Sequence, residues 1–142
     1  MSQKIGFRIG VITTLLLAAL LTACGDTTPV IKSAVLSRDY NQGEAVDVTN
    51  TFKTTDPAVH CVVKIGGEFY GSKMKIVWTA VDTADGAKNK SLSEDEFTIF
   101  KELDTYDLTY RPSAGGTLPA GKYKTEVYFN GKLDKTLEFT VQ

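Results

Sequence analysis

Reactive side chains are scarce in this chain, which has one histidine and two cysteines in 142 residues. So few donors cannot assemble a four-ligand zinc site without several carboxylates. Charge of one sign is missing too. Lys and Arg number 16 against 17 Asp and Glu, a formal net charge of -1, so no broad basic surface exists to neutralise the phosphates that dominate nucleic-acid binding. Nucleic acid is not an expected partner. Past residue 23 there is no long hydrophobic run and no sustained apolar pattern at helical spacing. The length suits one domain of the usual size, about 100–150 residues, and leaves no room for a large multi-domain enzyme.

What the chain does have begins at its start. Lys4 and Arg8 precede an apolar run over residues 9–20, with no acidic residue before Asp26. That run is shorter than the roughly 20 residues needed to cross the hydrocarbon core, and it ends in small residues, the pattern of a processed signal rather than a permanent span. It closes on Leu21-Thr22-Ala23-Cys24, which resembles the lipobox of bacterial lipoproteins at every position. In that family the cysteine thiol receives a diacylglycerol, a dedicated peptidase cuts before it, and the new amino terminus is often acylated. The resemblance implies cleavage between Ala23 and Cys24, a diacylglycerol and an N-acyl chain such as palmitate on Cys24, and a bacterial envelope location with the membrane as partner. Gly25 rather than aspartate follows the cysteine, which under that family's sorting rule favours the outer membrane in a two-membrane cell, with Asp26 one place later. Acyl burial at about 0.8 kcal/mol per methylene makes two chains a stable anchor where one is marginal.

The expected organisation is therefore a signal peptide over 1–23, a lipidated tether over 24–29 and a folded domain over 30–142. Five residues, Gly25 to Pro29, span at most about 18 Å, so the domain sits close to its bilayer. Cleavage also removes Lys4 and Arg8, leaving 14 basic against 17 acidic residues, a formal -3. The acyl chains are then the main tether, without a basic patch for anionic lipid. With Cys24 lipidated, no disulfide is possible within the chain. Cys61 lies in Val59-His60-Cys61-Val62-Val63-Lys64-Ile65, where alternate residues share a strand face; a buried inert thiol is expected there, with His60 on the opposite face. Neither a metal nor any cofactor beyond the acyl groups is expected.

From residue 30 the pattern has period two, broken by Gly, Pro, Asn and Asp. Strands are expected at 30–37, 44–49, 58–65, 73–82, 88–101, 105–112, 121–129 and 132–141, with Ser91–Glu96 the one stretch that also suits a helical turn. Seven or eight short strands over about 110 residues make an all-β antiparallel sandwich. In the last hairpin the odd residues Tyr123, Thr125, Val127 and Phe129 on one strand and Leu133, Leu137, Phe139 and Val141 on the other are core candidates. A two-residue Asn130-Gly131 loop puts these sets on opposite faces. A three-residue bulged turn pairing 128 with 132, Val127 beside Leu133 and Lys135 opposite Thr125 is therefore expected.

Trp78 on its strand, Cys61 on an earlier one, and Leu118 with Tyr123 before a long strand together resemble immunoglobulin and fibronectin type III sandwiches. The resemblance implies a core tryptophan at Trp78, an inward Cys61 and a tyrosine corner at Leu118 and Tyr123. Thr125 stands where immunoglobulins carry their second cysteine, so their inter-sheet disulfide is missing.

Fold alone does not give function. A serine-type hydrolase would need His60 within hydrogen-bond reach of both a hydroxyl and a carboxylate, and no glycine-framed serine elbow is present. Carboxylates at Asp82, Asp85, Glu94, Asp95, Glu96, Asp104 and Asp107 suit solvated turns and strand ends, and Asp82–Gly86 suits a hairpin turn better than a calcium loop. Catalysis is not expected. Binding is: Gly66-Gly67-Glu68-Phe69-Tyr70-Gly71 sets two aromatics between glycines, and Tyr128 alternates outward from Val127. Phe69, Tyr70 and Tyr128 are the candidate contacts for an envelope protein or glycan partner. In the plainer alternative Phe69 caps the core and Tyr70 covers a sheet edge. A concave aromatic pocket at 66–71 favours a small-ligand or glycan site, whereas a flat apolar face around Tyr128 favours an accessory or binding module.

Overall fold

The computed structural model describes residues 27–100, 103–113 and 116–142. The lipobox, with Ala23 and Cys24, lies outside the described residues. Nine strands follow one another: β1 Val30–Asn41, β2 Glu44–Val48, β3 Thr51–Phe52, β4 Val59–Gly66, β5 Lys73–Thr83, β6 Lys88–Thr98, β7 Thr105–Tyr110, β8 Gly121–Phe129 and β9 Lys132–Val141. They form two sheets, ordered β2-β1-β4-β7 and β3-β9-β8-β5-β6. All pairs are antiparallel except β3 with β9. The protein is an all-β immunoglobulin-like sandwich.

Alternation builds the core. On β4, Val59, Cys61, Val63 and Ile65 point between the sheets; on β5, Met74, Ile76, Trp78 and Ala80 face them. Trp78 is 1% exposed and packs its ring against Tyr110 and Phe139. At one end Tyr123 stacks on Phe139 and its hydroxyl donates to the Pro119 carbonyl at 2.6 Å, with Leu118 buried beside it. This is the tyrosine corner that the resemblance implies. The segment open to a helical reading is strand β6, paired along β5. Its charged residues suit an edge strand that must not recruit another.

Two expectations need correction. The described residues form nine strands rather than seven or eight. The additional one, β3, is two residues long and too short to show a period, yet it buries Phe52 completely. The last hairpin also turns more tightly than expected. Phe129 pairs with Lys132 across a two-residue loop in which Asn130 and Gly131 have φ of 49° and 79°, the double positive φ that matches strand twist. The parity change comes one pair later: Tyr128 faces Leu133 but Val127 faces Lys135, so Asp134 is the extra residue of a bulge inside β9. Beyond it Leu137 lies opposite Thr125 and Phe139 opposite Tyr123. Leu133 is left 51% exposed instead of entering the core.

Strand β1 runs past residue 37 into a hairpin closed by Gln42 and Gly43, again both at positive φ. Ser37 pairs with His60, but Glu44 reaches Lys64 with Nζ–O at 3.0 Å, back toward the start of β1. Residues 40–44, Lys64 and residues 103–105 line one shallow hollow, so the hairpin doubles back across β4. Arg38 holds the bend, donating to Asp47 at 2.7 Å, Asp56 at 3.1 Å and the Thr51 carbonyl at 2.6 Å. The two carboxylates hold its guanidinium pKa above the ordinary value.

Candidate functional site

The 66–71 loop is built by backbone ties on both sides. Glu68 N–H donates to the Thr27 carbonyl at 2.8 Å, Gly71 N–H to Ile99 at 2.7 Å, Ser72 N–H to Phe69 at 2.9 Å, and Ile99 N–H to Ser72 at 2.8 Å. Gly67 has a φ of 77° and lies against the Thr28 carbonyl, in the space a side chain would need. The β8–β9 turn closes the same end: Asn130 N–H donates to the Lys73 carbonyl at 2.8 Å, and its side chain accepts from Lys73 N–H at 2.9 Å. Loop, chain start and turn therefore form one pinned end of the sandwich.

Its two aromatics go separate ways. Phe69 packs against the core cluster, as in the plainer alternative. Tyr70 is 67% exposed and meets Phe100, also 67% exposed, edge to face at a ring-centroid distance of 5.9 Å. It covers no sheet edge. Phe100 was not among the sequence candidates, because residues 88–101 read as one strand. In the structure β6 stops at Thr98, Ile99 turns inward, and Phe100 is left outside. Among the described residues, the hollow at this loop is lined by Gly67, Glu68, Phe69 and Tyr70, with no facing wall from another element. It is not the concave pocket a small-ligand reading calls for.

Tyr128 is half-buried on the outer face of its sheet, where the Lys75 ammonium sits 4.7 Å from its ring centroid. Such a contact is worth about 0.5–1 kcal/mol at an exposed site. Around it Lys75 pairs with Glu94 at 3.3 Å and Lys124 with Glu126 at 3.1 Å. That face is laced with charge rather than flat and apolar.

His60 does meet a carboxylate and a hydroxyl, but both converge on one nitrogen. Its Nδ1 lies 3.0 Å from Asp107 Oδ2 and 3.3 Å from Thr109 Oγ1, and the Thr109 hydroxyl donates to Asp107 at 2.9 Å. A nucleophile-activating histidine takes its orienting carboxylate on one nitrogen and its nucleophile on the other. Here the carboxylate accepts the hydroxyl proton, and the three groups close on themselves. Cys61 is fully buried, and burial first, with the nearby Asp107 charge second, pushes its thiol pKa up to about 12. It is a core residue, not a reactive thiol.

Among the described residues no group of three or more His, Cys, Asp or Glu could hold a metal ion. In the Asp82–Gly86 segment Asp85 is engaged by the turn itself, accepting from the Thr83 hydroxyl and the Ala87 N–H. The Thr83 hydrogen bond is the main cause of its lowered pKa.

No family model matches the chain, and no curated protein matches it. Among solved structures, the chain is similar to an immunoglobulin-like protein from Pseudomonas aeruginosa, with a TM-score of 0.56 and 15% sequence identity. The match covers 83% of this chain and all of that one. At that identity the likeness shows the fold alone.

Proposed function

We propose that this chain is a lipid-anchored protein of the bacterial envelope whose immunoglobulin-like sandwich acts by surface contact, as a binding or accessory module, without catalysing a reaction. The observation that carries this reading is the lipobox, Leu21 to Cys24, standing three residues ahead of Thr27, where the chain is already bonded into the sandwich. The diacylglycerol and N-acyl chain on Cys24 are its only non-protein groups, and the outer membrane is its address where the cell has two. Its partner is an envelope protein or glycan. The closed His60–Asp107–Thr109 cluster supports contact over hydrolysis, since carboxylate and hydroxyl meet the same imidazole nitrogen, Nδ1.

The test is metabolic labelling with a palmitate analogue. The wild-type chain is expected to take up label and to lose residues 1–23, whereas Cys24→Ser accumulates as unlabelled precursor. Normal label on Cys24→Ser overturns the anchor. Crosslinking in intact cells followed by capture of the wild-type chain then identifies the partner.

A further inference from the structure

We propose that the end of the sandwich carrying Tyr70 and Phe100 is seated on the lipid bilayer, with both rings at the level of the headgroups and the first acyl carbons. This rests on the anchor reading of Cys24. The first support is where the chain leaves the domain. The Thr27 carbonyl accepts from Glu68 N–H at 2.8 Å, so the departing chain is held against the loop that bears Tyr70. Two residues, Gly25 and Asp26, separate Cys24 from Thr27, and the three Cα–Cα steps reach at most about 11 Å. Acyl chains on Cys24 therefore enter the membrane beside this loop, and this end of the domain faces the lipid.

The second support is what the end presents. Tyr70 and Phe100 are each 67% exposed, and Val30 at 46% and Leu103 at 54% flank them at the same end. Val30 pairs with Gly66, and Asp104, next to Leu103, accepts from Ile65 N–H at 2.7 Å. Of the other exposed large apolar residues described, Leu133 follows the β8–β9 turn at this same end, Val46 and Val48 lie along strand β2, and none belongs to the turns at 84–86 or 111–113 at the other end of the sandwich. A phenol beside a phenyl ring is the amphipathic pair that settles at a membrane interface. The rings are also held in place, since Gly71 and Ser72 are tied to Ile99 on the loop's far side.

Charge does not compete with this assignment. Among the described residues at this end, Lys32, Lys73 and Lys132 are balanced by Glu68, Glu96 and Asp104, so the contact is apolar and needs no anionic lipid. It also needs little intrinsic affinity, because a neighbouring anchor makes the second attachment intramolecular.

The test places a fluorophore at the surface. Tyr70→Trp and Phe100→Trp are made in the mature lipidated protein, reconstituted into phosphatidylcholine vesicles brominated on their acyl chains, with Ser113→Trp as the control at the opposite end. The emission of wild type, from Trp78 in the core, is subtracted. Tyr70→Trp and Phe100→Trp are expected to be quenched several-fold more strongly than Ser113→Trp. Equal, weak quenching at all three sites in protein that floats with the vesicles and carries the lipid mass at Cys24 overturns the seating and leaves the anchor standing. Protein without that mass overturns the anchor reading, and this inference with it.

Discussion

Thr125 sits fully buried between Trp78 and Leu137 with a hydroxyl that has no hydrogen-bond partner among the described residues. An unpaired buried hydroxyl costs about 1–3 kcal/mol, and removing it without changing shape recovers part of that. Thr125→Val is accordingly expected to stabilise the domain by about 1 kcal/mol, read as a higher denaturant midpoint at unchanged slope. Tyr123 is the opposite case. Its hydroxyl is satisfied by Pro119, so Tyr123→Phe deprives a carbonyl of its donor and is expected to cost about 1 kcal/mol or more. Burial also raises its phenol pKa to about 12, as it raises the Cys61 thiol to about 12. Both groups fold as neutral species, so the unfolded chain loses their protons first. Their contribution to stability is therefore level below about pH 8.5 and falls as pH rises toward 12, through the ordinary thiol and phenol ranges. Alkaline unfolding followed by phenolate absorbance, and a thiol reagent that labels Cys61 only on unfolding, check both halves.

The strands show where local pattern runs out as a guide. Trp78 and Cys61 stand in period-two segments whose inward faces are apolar and so were readable from the pattern, whereas Leu118 and Tyr123 were placed by the resemblance to a tyrosine corner. Strand β3 was not readable, since Thr51 and Phe52 are held by neighbours far along the chain, in pairs with Thr140 and Val141. The second half of β1, Arg38 to Asn41, is polar and exists as strand because the Gln42-Gly43 turn brings β2 beside it. Asn130-Gly131 was misread because the alternation of β9 was carried through Asp134 unbroken, whereas the bulge there reverses it. The Tyr70–Phe100 pair joins residues 30 apart in sequence through loop hydrogen bonds, and periodicity carries no trace of it. Arg38 offers a test at this scale. It joins the β1–β2 hairpin, through Asp47, to Asp56 and Thr51 beside the second sheet. Arg38→Ala is expected to speed amide exchange in Ala45–Val48 while β5 and β8 stay protected, because those strands are paired on both sides within the other sheet. Uniform acceleration across both sheets would show that the hairpin unfolds only with the whole domain.

For the whole molecule, the proposed anchor at Cys24 and the proposed seating of the aromatic end make two attachments joined by a link, and link length sets how strongly the first enforces the second. Two residues, and so three Cα–Cα steps, now separate Cys24 from Thr27. A Gly-Ser insert of about nine residues after Asp26 lengthens that link about fourfold, and effective concentration falling as the -3/2 power of length then drops about eightfold. The insert lies outside the sandwich, so thermal unfolding and lipid incorporation are expected to match the parent chain. Quenching of Tyr70→Trp by brominated acyl chains is expected to fall, because a domain on a longer leash spends more time off the surface. The charge balance at that end supplies no long-range attraction to hold it there. Quenching undiminished by the insert would mean that the rings bind lipid strongly on their own, and the non-lipidated Cys24→Ser chain would then have to float with neutral vesicles as well.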